Sequence, residues 1–210
     1  MPVNYSHFYR RFIPTAHRLL LDRVVASKAG LVVGKTLVIG AGNINYEKFF
    51  PNASEVINSD IERYGEHISV LLDAEKICFA DCQFDSVVAF EVLEHLRDPG
   101  AVCNEILRIL KPGGHFYFSV PFLFRIHGDP SDYQRFTLYG LESLLEGFSR
   151  CNITGYGGRL AVISDLITTT CKPFAALRLF NFMLRFLPIG SSSDSPSGYF
   201  AVADKAEQTP

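Results

Sequence analysis

Gly40, Gly42 and Asp60 are the residues whose types and spacing first suggest chemistry. The apolar run Thr36-Leu37-Val38-Ile39 enters the turn Gly40-Ala41-Gly42-Asn43, and a second run, Val56-Ile57-Asn58-Ser59, ends at Asp60. Glycine has no Cβ, so the backbone can turn tightly there and a ligand can approach it closely. A carboxylate ending the next strand can accept hydrogen bonds from both hydroxyls of a ribose. Asp73 and Glu91 close two further apolar stretches, so Gly42, Asp60, Asp73 and Glu91 are all expected at or just beyond strand ends, on one rim. Ligands of open α/β sheets bind at that rim.

A second group of candidates lies between positions 121 and 137. His127, Asp129, Asp132, Tyr133, Arg135 and Phe136 crowd a loop that follows a predicted central strand. Imidazole titrates near neutral pH, which makes His127 the candidate base, with Asp129 or Asp132 to orient it or to bind a hydroxyl. Arg135 can hold an anionic group. The competing reading pairs Asp132 with Arg135 as a loop brace and makes Thr137 a helix cap. His95, beside Glu94, is either a wall of the site or a helix-start hydrogen bond. Nothing in the spacing of His127, Asp129 and Asp132 requires a metal, and none is expected.

Strands and helices must alternate to position these groups. Strands are predicted at 35–39, 55–59, 68–72, 84–90, 115–120, 152–156 and 198–203. Helices are predicted at 6–29, 46–50, 101–110 and 137–146. Pro99 opens one of them and Lys111-Pro112-Gly113-Gly114 closes it. Alternation implies a doubly wound, mostly parallel seven-stranded sheet with helices on both faces. The expected organisation is one domain over 1–210: an N-terminal helical cover (1–34), a cofactor-binding core (35–158), a helical segment (159–190) and a last strand (198–204). No internal repeat is visible.

Bulk properties narrow the partners. The 210 residues include 18 Phe and 9 Tyr, ample for one core. A formal net charge of -2 gives no electrostatic footprint for nucleic acid. The five cysteines are odd in number and none pairs at zinc-ligand spacing. Each is expected to be a small, buried, reduced thiol in a cytoplasmic protein, since the sequence starting Met1-Pro2-Val3-Asn4-Tyr5 has no signal-peptide core. The apolar stretch 174–187 is interrupted by Arg178, Asn181 and Arg185, which share one helical face. It is too short and too charged to span a bilayer. Cover for the sheet is the preferred role, ahead of membrane-surface contact or a homodimer contact.

A dinucleotide fold also uses glycines followed by an acid about 20 positions on, but its third glycine would stand at Asn45 and is missing. Instead, residues 36–148 resemble the class I S-adenosylmethionine-dependent methyltransferases, in particular the group called methyltransferase type 11. The likeness rests on the glycine turn, the acid of Asn58-Ser59-Asp60, Leu72-Asp73-Ala74-Glu75 and Phe84-Asp85-Ser86-Val87-Val88. It continues through Glu91-Val92-Leu93-Glu94-His95-Leu96, Asp98-Pro99 and Leu110-Lys111-Pro112-Gly113-Gly114, in that order. The resemblance implies S-adenosylmethionine as cofactor and an antiparallel edge strand near 198–203. It implies that Gly40, Ala41 and Gly42 pack against the methionine half of the cofactor. Asp60 would meet the ribose, with Ile61 also against the cofactor, Asp73 and Ala74 the adenine, and Glu91 and Val92 the region near the reacting centre. Val38 and Ile44 depart from the family, which often has an acid and a further glycine there. The segment His127 to Thr137 is similar to that of a subgroup associated with sugar and surface-polysaccharide biosynthesis. That implies a sugar or other small polar acceptor, with His127 and Asp129 catalytic and His95, Asp132, Tyr133 and Arg135 against substrate. The alternatives are methylation of nitrogen, a lipid-like or aromatic acceptor, and a non-catalytic cofactor-binding scaffold.

Overall fold

The computed structural model describes residues 14–127, 131–170, 179–184, 186 and 194–208. Its frame is a seven-stranded sheet of β1 (Val33–Ile39), β2 (Asn52–Asp60), β3 (Val70–Leu71), β4 (Phe84–Phe90), β5 (Leu110–Pro121), β6 (Arg150–Tyr156) and β7 (Gly198–Asp204). The order is β3-β2-β1-β4-β5-β7-β6. All pairs from β3 to β5 are parallel, and β7 is antiparallel to both β5 and β6. β7 lies one place in from the outermost strand. After β1 the chain winds towards β2 and β3, then returns to the other side of β1 as β4. The carboxyl ends of β1 and β4 are therefore the topological switch point.

Period-two alternation sends neighbouring residues to opposite faces. Leu37 and Ile39, Val87 and Ala89, and Phe116 and Phe118 pack on one face with Val102, Cys103, Ile106 and Ile109 of α2 (Pro99–Ile109) and Leu141 of α3 (Leu138–Leu144). Val38, Val88, Tyr117 and Phe200 meet Leu20, Leu21, Val24 and Val25 of α1 (Ala16–Lys28) on the other. Val38 is thus a core residue beneath the N-terminal helix.

The helix ends are closed by side chains. Asp98 accepts from Ala101 N at 2.9 Å with Pro99 in the first turn, and the Thr137 hydroxyl accepts from Gly140 N at 3.1 Å. The start of α1 is held from elsewhere in the chain: Asp165 of α4 (Arg159–Thr170) accepts from Ala16 N and His17 N, each at 2.7 Å. That carboxylate fixes the register of α1 against α4.

Several boundaries differ from the sequence reading. The helix expected at 46–50 is a single 3-10 turn, Tyr46–Lys48, started by Asn45, which accepts from Glu47 N at 3.0 Å, and cut short by Pro51 three residues after its end. β5 starts at Leu110, where Leu110 pairs with Phe84 before a register shift, so 111–114 belongs to the strand. Cys103 is buried, but Cys78 and Cys82 stand exposed in the loop before β4 and Cys151 on the outer strand β6; Cys171 lies outside the described residues. Of 174–187, residues 174–178, 185 and 187 also lie outside them. Within α5 (Asn181–Leu184), Asn181 faces inward, accepting from Ser164 Oγ at 2.6 Å and donating to Pro14 O at 3.3 Å. Leu160, Ile163, Leu166 and Ile167 of α4 are exposed, as are Leu179, Phe180, Met183 and Phe186. No helix among the described residues is long and apolar enough to cross a membrane.

Asp85 locks the lower edge of β4. It accepts from Lys35 N at 2.8 Å and from Lys111 Nζ at 2.8 and 2.9 Å. It also packs where a Cβ on Gly34 (φ +66°) would approach within 2.6 Å. Burial works to raise its pKa, but the hydrogen bonds from Lys111 and the Lys35 N–H more than offset this and hold it below the ordinary carboxylate value. A depressed folded-state pKa stabilises the fold above the unfolded pKa, and that stability disappears as pH falls through the folded one. Asp85→Ala is expected to cost about 1–3 kcal/mol at neutral pH, with a smaller deficit below pH ~3. Urea unfolding at both pH values measures this, and an equal deficit at both would contradict the ion-pair account.

Candidate active site

A cavity of about 490 Å³ opens at the switch point, within the roughly 300–1,000 Å³ typical of small-molecule sites. Gly40, Gly42, Asp60, Ile61, Asp73, Ala74, Glu91, Val92, His95 and Tyr133, all named from sequence, line it together. Ala41 does not: it is buried in the core beneath, and its N–H donates to Ser59 O at 3.0 Å. Tyr64, Glu75, Arg97 and Ser131 also line the cavity.

The glycine turn is shaped for close approach. Gly40 has φ +71°, and a Cβ there would lie 2.5 Å from Val92 Cγ2. Asp60 is nearly buried, and its Oδ2 accepts from Gly42 N at 2.8 Å, so the carboxylate and the turn hold each other. Its Oδ1 has only a long contact, 3.4 Å from Glu62 N, leaving acceptor capacity free towards the cavity. His67 Nε2 donates to Gly42 O at 2.9 Å from the far side. No α-helix follows the turn, so the cradle lacks the helix N-terminus that a diphosphate would use. Asp73 accepts from Glu75 N at 3.0 Å through Oδ1, and its Oδ2 lies 3.9 Å from the exposed Lys76 Nζ. A ribose-bearing cofactor without phosphates fits this donor and acceptor set.

Glu91 has φ +55°, unusual for a residue with a side chain. Its carboxylate turns away from the cavity opening into a buried network. His17 Nε2 donates to it at 2.8 Å, Ser119 Oγ at 2.9 Å and Tyr156 OH at 3.3 Å. His17 Nδ1 lies 2.9 Å from Ser197 Oγ, and Phe124 stacks on the ring at 4.6 Å. Burial alone would raise the Glu91 pKa; the His17 imidazole and then the Ser119 hydroxyl outweigh it and bring the carboxyl below its ordinary value. His17, Ser119, Tyr156 and Ser197 are far apart in sequence, and no motif links them.

Glu94 has the opposite environment. It is fully buried, and neither carboxylate oxygen has a hydrogen-bond partner. Burial first, and the Glu91 charge next, push its carboxyl well above the ordinary range. His95 Nε2 and His127 Nε2 each lie 3.7 Å from Glu94 Oε1. His95 donates from Nδ1 to Ser131 O at 2.6 Å, and its ring meets that of His127 edge-on at 5.1 Å. Burial is the largest influence lowering the His127 pKa, with Asp132 opposing it.

The acidic and basic residues of the 121–137 loop mostly bind each other. Asp132 pairs through both oxygens with Arg135 and accepts from His127 N at 2.8 Å. Its side chain is buried, so Asp132 and Arg135 brace the loop rather than face the cavity. His127 stands behind His95 and does not line the cavity. Asp129 lies outside the described residues. Tyr133 is half-exposed at the rim, where Arg97 Nε donates to its hydroxyl at 3.2 Å.

Residues 39–118 match the family model described as a methyltransferase domain. A ubiquinone biosynthesis O-methyltransferase of Alkalilimnicola ehrlichii is 28% identical over 143 residues, covering 61% of this chain and 56% of the relative. The chain thus spans little more than half of that relative's length. A structure described as a SAM-dependent methyltransferase from Archaeoglobus fulgidus superposes with a TM-score of 0.62 at 16% identity, covering 97% of this chain and 100% of that one. A phosphoethanolamine N-methyltransferase 2 of Haemonchus contortus in complex with S-adenosyl-L-methionine gives 0.59 at 15%, covering 98% and 60%. At such identities the two structures share the fold. Residues 39–118 thus match a methyltransferase domain within a chain of that fold, and the glycine turn, Asp60, Asp73 and Glu91 all lie inside the matched segment.

Gly40→Ala adds strain of about 1–3 kcal/mol at a left-handed residue and a Cβ against Val92. It is expected to weaken S-adenosylmethionine binding at least ~10-fold in equilibrium dialysis. Asp60→Ala is expected to remove most of the affinity, with Asp60→Asn, which can still accept from Gly42 N, in between. Wild-type affinity in Asp60→Ala would refute its role.

Proposed function

We propose that this chain is an O-methyltransferase whose acceptor is a small polar molecule, a sugar or polysaccharide precursor. The observation that carries the reading is the chemical division of the cavity. Backbone and carboxylates suited to a nucleoside occupy one side, and a histidine–carboxylate cluster flanks the other. Bound S-adenosylmethionine supplies a methyl group activated on a sulfonium sulfur. The protein's own work is positioning, desolvation and handling the acceptor proton.

In this reading Asp60 binds the ribose hydroxyls, pre-aligned by its bond to Gly42. Asp73, with Ala74 beside it, takes the adenine amino group, and Ile61 covers the ribose. The backbone at Gly40, Gly42, Glu91 and Val92 lies along the methionine half. Tyr133 at the rim limits water access, and the Asp132–Arg135 brace keeps His127 in place behind His95. A sugar hydroxyl needs its proton drawn off as the bond forms, and the Glu94–His95–His127 cluster is the part of the chain suited to that. Residues 1–210 act as one domain, with α1 and α4 covering the sheet.

A second reading, a hydroxylated aromatic or lipid-like acceptor, is favoured by the name of the ubiquinone-pathway relative and by the exposed apolar side chains of α4. Transfer of labelled methyl groups to nucleotide sugars and to alkylated catechols separates the two. Sugar labelling supports the first reading; labelling of catechols alone replaces it with the second. Failure with every hydroxyl compound alongside transfer to amines would overturn O-methylation. His127→Ala is expected to slow transfer about 10²-fold while leaving cofactor affinity intact. Full activity in that variant would exclude His127 as an essential base.

A further inference from the structure

We propose that Glu94, His95 and His127 form a binding site for a divalent transition-metal ion beside the cofactor cavity. One carboxylate oxygen and two imidazole nitrogens converge there, all within 4.8 Å of one another. Ions of this class hold nitrogen and oxygen ligands at roughly 2.0–2.2 Å, which puts neighbouring ligands about 3.0–3.4 Å apart. The two Glu94–histidine gaps of 3.7 Å need to close by only a few tenths of an ångström.

The second observation is independent of the clustering. Both oxygens of Glu94 are buried with no hydrogen-bond partner. At 3.7 Å neither imidazole forms a hydrogen bond, and Arg135, the cation nearby, directs Nη1 and Nη2 at Asp132 and makes no hydrogen bond to Glu94 from its unpartnered Nε. A buried carboxyl without partners is costly, and a bound cation would supply what is missing.

The imidazoles are prepared for coordination. Donation from His95 Nδ1 to Ser131 O fixes the neutral tautomer whose lone pair is on Nε2, the atom nearer Glu94. His127 is held through its backbone, whose N–H donates to Asp132 Oδ2 at 2.8 Å, while its Nδ1 lies 3.2 Å from that oxygen without a hydrogen bond. Two imidazoles and one carboxylate favour zinc, manganese or iron over magnesium or calcium. Three protein ligands leave coordination positions open. Because His95 also lines the cavity, an open position there would take the acceptor oxygen and polarise it. That role, though not the binding, rests on the methyl-transfer reading.

The test is calorimetric titration of chelator-treated full-length protein with zinc chloride and with manganese chloride, without cofactor. One equivalent of either metal is expected to bind, with affinity falling at least ~10-fold in Glu94→Gln and in His127→Gln. The visible spectrum of the cobalt-loaded protein, expected from wild type and absent from Glu94→Gln, reports the same site without activity. Cofactor binding measured separately on each variant shows that it is folded; if Glu94→Gln is not, Glu94→Leu takes its place. Absence of stoichiometric binding of both metals, or equal affinity in wild type and variants, would overturn the proposal. Loss of cofactor binding in wild type with metal binding intact would overturn the methyl-transfer reading alone.

Discussion

A carboxylate buried at the end of β4 governs how the two faces of the sheet meet. Glu91 is tied to His17 of α1, Ser119 of β5 and Tyr156 of β6. A buried ionised group survives only when it is paired and hydrogen-bonded, so these three contacts are conditions for the fold as well as consequences of it. With the carboxylate anchored inward, the backbone at Glu91 adopts φ +55°. The next side chain, Val92, is thereby set against Gly40 so closely that only glycine fits. The width of the cofactor cradle thus traces back to one charge and its partners on three other elements.

Three residues further on, a second carboxylate has the reverse situation. Glu94 is more deeply buried than Glu91, yet its oxygens have no hydrogen-bond partner. Two acids on one short segment are driven in opposite directions, one towards the charged form and one away from it. Such divergence is characteristic of sites that handle protons or bind charged ligands. It also assigns separate duties: Glu91 supports the architecture, while Glu94 stands beside two imidazoles at the wall where an acceptor would lie.

Much of this was legible in the sequence because it is encoded locally. The glycine turn, the carboxylates ending apolar runs, the Asp98-Pro99 helix start and the Thr137 cap are each settled by a few neighbouring residues, and they predicted the sheet and the rim. What could not be read depends on distant pairing. His17 gives no sign of meeting Glu91, and Asp165 gives none of capping α1. The run Glu94-His95 was visible, but its orphaned carboxylate became apparent only once the 121–137 loop brought in His127. That loop also shows the limit of composition as a guide: the charged residues expected to face substrate neutralise each other because they are three apart and face inward.

The central claim is that the switch-point cavity takes a nucleoside sulfonium and not a dinucleotide. Calorimetric titration of the purified protein with S-adenosylmethionine, S-adenosylhomocysteine and NAD tests it most directly. The account predicts one-to-one binding of the first two at micromolar concentrations and no heat with NAD. Binding of NAD, or silence towards both adenosyl compounds, would contradict it.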